Sequence, residues 1–354
     1  MHGGDGRLKE KETEAADRMK VLFIGGTGCI SPASVDLALE RGMDVAVLNR
    51  GNHPEMVNPK AEQLKADYTD EEQVRSAIDG RKFDVVADFR VFTADDMKKA
   101  VRLFSGITKQ YFLISSGTVY RKPLEHYVIT EDAPLGNLHS FYARNKLAAE
   151  NVLRESLQKG FPGVIVRPSL TYADWNILTS MRGKTPYDLI DRMRRGKEIV
   201  VNGDGTSLWT ITHNTDFAKG FVGLFGNGKA IGEAFHITQD EVLDWDRIYT
   251  EIANAAGVQA RLVHMSTDFI GEIFPALREG LAGDHSVSAV FDNSKIRRFV
   301  PDFRCTVPFA EGCRRAVAWF DADPENREKT DPAFDEQMDT LLKARRAYQL
   351  LKNE

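Results

Sequence analysis

The chain is poor in the features that mark specialised protein classes. Its 354 residues include only three cysteines, Cys29, Cys305 and Cys313. They form neither a CxxC pair nor an even disulfide framework, so a disulfide-stapled secreted scaffold is excluded and the thiols read as reduced. A surplus of either charge is also missing: 47 Lys and Arg stand against 52 Asp and Glu, a formal net charge of −5. That balance supplies no global field for holding a polyanion, which argues against nucleic acid as the main partner. No apolar run approaches the roughly 18 residues of a membrane span. The N-terminal stretch is polar and charged rather than signal-like. The expectation is a soluble, cytoplasmic protein with no membrane contact. There is no internal repeat or low-complexity tract, and no His, Cys and Asp spacing reads as a metal site.

What is present is an ordinary globular composition, 42% apolar and 28% charged, which excludes fibrous and disordered chains. At about 150 residues per domain the length suggests two domains, or one with an embedded lobe. Residues 1–18 read as a mobile leader. Lys20 to Ile24 then opens a pattern of short apolar strands alternating with helices. Strands are expected at 45–48, 63–66, 85–87, 111–114 and 164–166, and helices at 71–78, 94–104 and 140–158. Such alternation predicts parallel crossover units and an α/β, doubly wound parallel sheet. After Pro168 the alternation loosens into helix candidates at 186–195, 215–225, 244–256 and 309–320. This reads as a smaller lobe over 169–330 that partly returns to the sheet. A charged helical tail over 331–354 follows, suited to outside packing or self-association.

Three groups of residues carry chemistry. Gly25-Gly26-Thr27-Gly28-Cys29-Ile30-Ser31 lies directly after the first strand and before a helix. There, glycines let the backbone approach a pyrophosphate and the helix N-terminus offers free N–H groups. Ser31 stands where a third glycine would serve close helix packing. At the end of the second strand Asn49-Arg50 replaces the acidic residue that would bind ribose hydroxyls; Arg50 suits a 2′-phosphate, which leans toward NADP, and NAD held through Asn49 is the alternative. Finally, Tyr142 and Lys146 share a helix face at a spacing of four, where a cation can draw a phenol from about 10 toward neutrality. They follow Ser115-Ser116-Gly117-Thr118, whose hydroxyls belong at the carboxyl edge of the sheet.

With these motifs in view, the chain resembles the extended branch of the short-chain dehydrogenase/reductase superfamily, the sugar epimerase and dehydratase group with its Rossmann-like fold. GGTGCIS, Asp67-Tyr68, ISSGTVY, YARNKLAAE, VIVRPSLTY, Gly203-Asp204-Gly205 and ITHNTDFA run in that family's order from about residue 20 to 220. The resemblance implies a dinucleotide-binding domain over 19–168, a substrate lobe at 169–330, a sugar or sugar-derived substrate and a homodimer. By position Ser116 matches the hydroxyl that holds the developing carbonyl oxygen. Tyr142 matches the acid/base, and Lys146 its partner and the holder of the nicotinamide ribose. The residues set against NADP or NAD are Gly25, Thr27, Gly28, Cys29, Ile30, Asn49, Arg50, Asp67, Tyr68, Phe89, Arg90, Ser115, Tyr142, Lys146, Pro168 and Leu170. Thr118, Thr171 and Trp209 are set against the substrate.

Departures from the family narrow the chemistry. Its dehydratases carry an Asp-Glu pair after the catalytic hydroxyl, whereas this chain has Gly117-Thr118, so a sugar 4,6-dehydratase is disfavoured. Trp209 occupies the place of an arginine that grips a diphosphate, and it is either a stacking surface for a sugar ring or core. Arg192, Arg194, Arg195 or Arg297 could supply the missing charge; otherwise Arg192 to Lys197 cap a helix and face water. His213 reads as structural, His139 as surface and Cys29 as packing beside the cofactor. The expected function is an NAD(P)-dependent sugar epimerase or dehydrogenase. The alternative is a non-catalytic dinucleotide sensor or an RNA-binding relative, against which the intact Ser116, Tyr142 and Lys146 weigh.

Overall fold

Strand β1, Lys20–Ile24, is buried after its first residue and ends at Gly25, whose φ of +86° turns the chain toward the next helix. Around it lie β2 (Asp44–Asn49), β3 (Glu62–Lys65), β4 (Phe83–Asp88), β5 (Thr108–Ile114), β6 (Gly163–Arg167) and β7 (Ala234–His236). These seven form one sheet in the order β7-β6-β5-β4-β1-β2-β3. The β1 pairings with β2 and β4 are parallel, Leu22 facing Ala46 on one side and Val86 on the other. Near-continuous apolar strands such as VLFI and VVA are what a sheet covered on both faces requires. The expected doubly wound architecture is therefore the observed one. The computed structural model describes residues 18–177, 179–327 and 330–352. The predicted leader lies outside these except for Arg18.

The chain divides into two compact units. The first comprises the described residues up to Ser115 with 148–166 and 218–234. One face of its core joins Leu22, Ile24, Val86, Leu113 and Ile165 to Met97, Phe104 and Leu153. On the other face Phe23, Phe112, Phe221 and Phe225 interlock at centroid distances of 5.0–6.0 Å. Its helices start where capping chemistry dictates. Asp70 accepts from the N–H groups of Glu72 and Gln73 ahead of Glu71–Ala77, and Thr93 forms a reciprocal capping box with Asp96 ahead of Ala94–Phe104.

The second unit comprises 116–147, 167–217 and 235 onward. It is built from paired short strands rather than one sheet: Leu170–Tyr172 with Ile211–His213, Ile199–Asn202 with Leu262–Met265, Val128–Ile129 with Val290–Phe291, and Leu208–Trp209 with Leu243–Asp244. Trp245, Tyr249, Phe309 and Phe320 dominate its core. A π-helical turn, Leu281–His285, interrupts the regular structure. The last helix, Pro332–Leu351, buries Phe334, Met338, Leu341 and Leu342. Its Asp335 and Asp339 take the guanidinium of Arg192, 1% exposed, at 2.7 and 2.6 Å.

Candidate active site

In the first unit the ends of β1, β2 and β4 and the residues after β3 surround a cavity of about 620 Å³. Gly25, Thr27, Gly28, Cys29, Ile30, Asn49, Arg50, Asp67, Tyr68, Phe89 and Arg90 all line it. The turn is built for close backbone approach. A Cβ on Gly26 would come within 2.6 Å of Val47 Cγ1, whereas one on Gly28 would meet only Ser31 Oγ at 3.8 Å and stand in the cavity instead. Ser31 does more than the packing expected of it. Its hydroxyl donates to the Gly25 carbonyl at 3.1 Å and accepts the Gly28 N–H at 3.3 Å, knitting the turn to the helix it opens. Asn49 Oδ1 accepts the Gly51 N–H at 2.7 Å, which fixes the loop that presents Arg50.

Two further side chains of this cavity rest on a buried acid. Asp88, at the end of β4, accepts from the hydroxyls of Tyr68 and Tyr111, the latter at 2.8 Å, and from the Arg90 N–H at 2.7 Å. Desolvation, then the charge of Asp88, pushes the Tyr68 phenol well above its ordinary value. Lys99 covers that ring at 4.4 Å. Tyr68 thus supplies an anchored wall, while Asp67 is half-buried and is held acidic chiefly by the N–H and hydroxyl of Thr69. Ser115 lies elsewhere: its hydroxyl donates to the buried Glu150 at 2.5 Å.

In the second unit, Ser116 Oγ accepts from the Thr118 N–H at 3.2 Å and from the Thr118 hydroxyl at 2.8 Å. It also hydrogen-bonds the Tyr142 phenol. Tyr142 sits in the first turn of the helix Phe141–Leu157 with Lys146 one turn on; the Lys146 ammonium is 5.8 Å from the Tyr142 ring centroid and 2% exposed. The phenol does not lie near neutrality, contrary to the sequence expectation. The residue is 43% exposed, yet desolvation pushes its phenol up to about 12, opposed by the Ser116 hydrogen bond and reinforced by the Asp284 carboxylate.

Asp284 is a residue the sequence reading missed. It belongs to the π-helical turn, which Asn137 fastens to the Ser116–Thr118 segment by donating to the carbonyls of Thr118, at 2.8 Å, and Gly283, at 2.6 Å. Burial lifts the Asp284 carboxyl to about 7, with Lys122 partly offsetting it. The one available signal was a Gly-Asp step with no strand or helix pattern of its own.

The remaining positions fall as follows. The Pro168 carbonyl accepts the Gly117 N–H at 2.8 Å. Leu170 and Thr171 pair with Ile211 and Thr212, Thr171 being 3% exposed. Trp209 is 2% exposed and packs at 5.3 Å against both Trp245 and His285, as a core residue does. The four arginines weighed as diphosphate ligands are each in an ion pair: Arg192 as above, Arg194 with Asp321, Arg195 with Asp191 and Asp335, and Arg297 with Asp240. Arg192 therefore does not face water. His213 Nε2 meets Asp174 at 2.9 Å and its Nδ1 meets Thr215 at 2.7 Å, a structural arrangement.

The sequence profile of the NAD-dependent epimerase/dehydratase family matches residues 21–238. The chain belongs to this family. Among curated relatives, the chloroplast stem-loop binding protein of 41 kDa b of Arabidopsis thaliana is 26% identical over 268 residues, 71% of this chain and 67% of that protein. The UDP-glucose 4-epimerase of Drosophila melanogaster is 24% identical over 260 residues, 60% of this chain and 74% of its own. Among solved structures, the UDP-glucose 4-epimerase of Thermus thermophilus complexed with NAD superimposes with a TM-score of 0.67 at 20% identity. It covers 86% of this chain and 99% of that one, a likeness of fold. As a member of the epimerase/dehydratase family the chain is of the NAD-dependent oxidoreductase kind, and no described helix is long and apolar enough to cross a membrane.

Proposed function

We propose that the protein is an NAD(P)-dependent epimerase or dehydrogenase acting on a hydroxyl of a sugar or sugar derivative. The observation that carries this reading is the Tyr142 phenol hydrogen-bonded to Ser116 with the Lys146 ammonium beside its ring. A nicotinamide dinucleotide, when bound, supplies the hydride acceptor. The residues present fit one: a glycine turn whose Gly28 a Cβ would push into the cavity, an uncapped helix start at Ile30, and Arg50 on the lip. Asn49-Arg50 favours NADP over NAD. In this reading 19–168 is the dinucleotide-binding domain and 169–330 the substrate lobe, with 331–354 as the helical tail.

The chain's own residues divide the proton work. Ser116 holds the substrate oxygen as it becomes a carbonyl, and Tyr142 takes its proton in oxidation and returns it in reduction. With its phenol up at about 12, Tyr142 is poised first as a donor; Lys146 supplies the positive charge that favours the phenolate. A 4,6-dehydratase remains disfavoured, and the geometry adds a reason. A Cβ at Gly117 would lie 2.5 Å from Phe291 Cζ, so no carboxylate fits beside Ser116 at that position.

Tyr142→Phe should lower turnover by about two to four orders of magnitude and leave dinucleotide affinity within a few fold. Turnover that survives the substitution would overturn the assignment. A second reading, a nucleic-acid-binding protein, has the name of the Arabidopsis relative in its favour. A mobility shift with an RNA stem-loop, unchanged by Tyr142→Phe and accompanied by no sugar-dependent change in nicotinamide absorbance, would support it instead.

A further inference from the structure

Arg90 follows β4 where the first strand-to-helix turn passes beside it, and its side chain lies on that turn. A Cβ built on Gly25 would come within 2.8 Å of both Cγ and Cδ of Arg90. Gly25 therefore meets two needs at once, a positive φ and room for an arginine stem. The arm is steadied at both ends. Its backbone N–H is bound to Asp88, which the Tyr68 and Tyr111 hydroxyls fix in turn. Its guanidinium carbon sits 5.6 Å from the centroid of the Phe92 ring. Arg90 and Phe92 line the same cavity as Thr27, Gly28 and Ile30.

The surroundings define what such an arm would take. The helix Ser31–Glu40 begins at this cavity with no acidic residue in its first turn and no side-chain cap, leaving its end positive. Asp67 lines the same cavity and feels the charges of both Arg50 and Arg90. Asp88 lies beneath the cavity with its oxygens taken up by Tyr68, Tyr111 and the Arg90 N–H, so at the cavity wall two guanidiniums and a helix N-terminus stand against the single carboxylate of Asp67, which suits a ligand carrying several negative charges.

We infer that Arg90 is a pyrophosphate arm, laid across the glycine turn to hold the diphosphate of the dinucleotide and slow its release, whether or not a 2′-phosphate is present. The inference rests on the reading of this cavity as the dinucleotide site. It bears on the reaction class. An isomerising enzyme regenerates its cofactor within each cycle and gains by retaining it, whereas a net dehydrogenase must exchange it at every turnover. A retaining arm belongs with isomerisation.

The test is fluorescence titration of NADH and NADPH against the parent protein, Arg90→Ala, Arg90→Lys and Arg50→Ala, with retention through desalting as a second readout. Arg90→Ala should weaken both dinucleotides by the same factor, about 10- to 100-fold, and lose them on desalting. Arg90→Lys, keeping charge without the planar fork, should fall between. Arg50→Ala should weaken NADPH alone. Arg90 is exposed, so the variants should melt as the parent does. If Arg90→Ala leaves both affinities unchanged, or weakens NADPH alone, the arm is wrong while the dinucleotide site stands. A parent protein that binds neither dinucleotide would overturn the underlying reading as well.

Discussion

Asp88 is fully buried in the first unit and Asp284 largely so in the second, and their surroundings treat them in opposite ways. Asp88 receives two phenolic hydroxyls and a backbone N–H, so its charge is solvated by the protein and serves as a fixed foundation for Tyr68 and Arg90. Asp284 sits in a π-helical turn with Lys122 only partly offsetting its burial, and its carboxyl is lifted to about 7. The difference shows what each region is suited to. The first unit spends a buried charge on rigidity around a cavity; the second keeps one that changes its protonation near neutrality beside the Tyr142 phenol.

Substitutions at these two sites should separate the roles. A folded-state value near 7, above the ordinary 3.8, means that the native protein binds the Asp284 proton more tightly than the unfolded chain does. Stability should therefore fall as pH rises from about 4 to 7, by up to about 4 kcal/mol. Asp284→Asn should flatten that part of a urea-stability profile; an unchanged slope would place the titrating group elsewhere. Asp88→Ala removes the acceptor from two buried hydroxyls and should cost about 3 kcal/mol, with weakened dinucleotide binding because Tyr68 and Arg90 lose their support. Unchanged stability and unchanged dinucleotide affinity in Asp88→Ala would erase the contrast between the two acids. The smallest effect is expected at Gly117. Gly117→Ala forces Phe291 to move and should cost about 1 to 3 kcal/mol by overpacking, while a melting temperature at or above the parent's would show that the Phe291 ring yields freely.

Much of the first unit is legible in sequence because its signals are local. A strand, a glycine turn and a helix adjoin in the chain, and the cavity residues at the ends of β1, β2 and β4 are fixed by that succession. The Tyr142 and Lys146 spacing is local too. What escaped depends on contacts between residues far apart. Nothing near Gly117 announces that Phe291 will fill the space beside it. Trp209 looks the same on paper whether it faces a ligand or packs on Trp245. The direction of the Tyr142 shift depends on desolvation by the surrounding fold and on the charge of Asp284 in a distant turn, a sum that helical spacing alone does not contain. Ser31 is an intermediate case: its small size was readable, but its two hydrogen bonds across the turn were not.

The grip of Arg192 on the last helix sets a timetable for synthesis. Its partners Asp335 and Asp339 lie 143 and 147 residues further along the chain. While the polypeptide is emerging, that guanidinium has no carboxylate to enter the core with, and the apolar bed for Phe334, Met338, Leu341 and Leu342 stays uncovered. The second unit can close only after Asp335 and Asp339 have left the ribosome, so a stall or a truncation ahead of Asp335 would release a chain with an exposed apolar seam, a form that chaperones and proteases recognise.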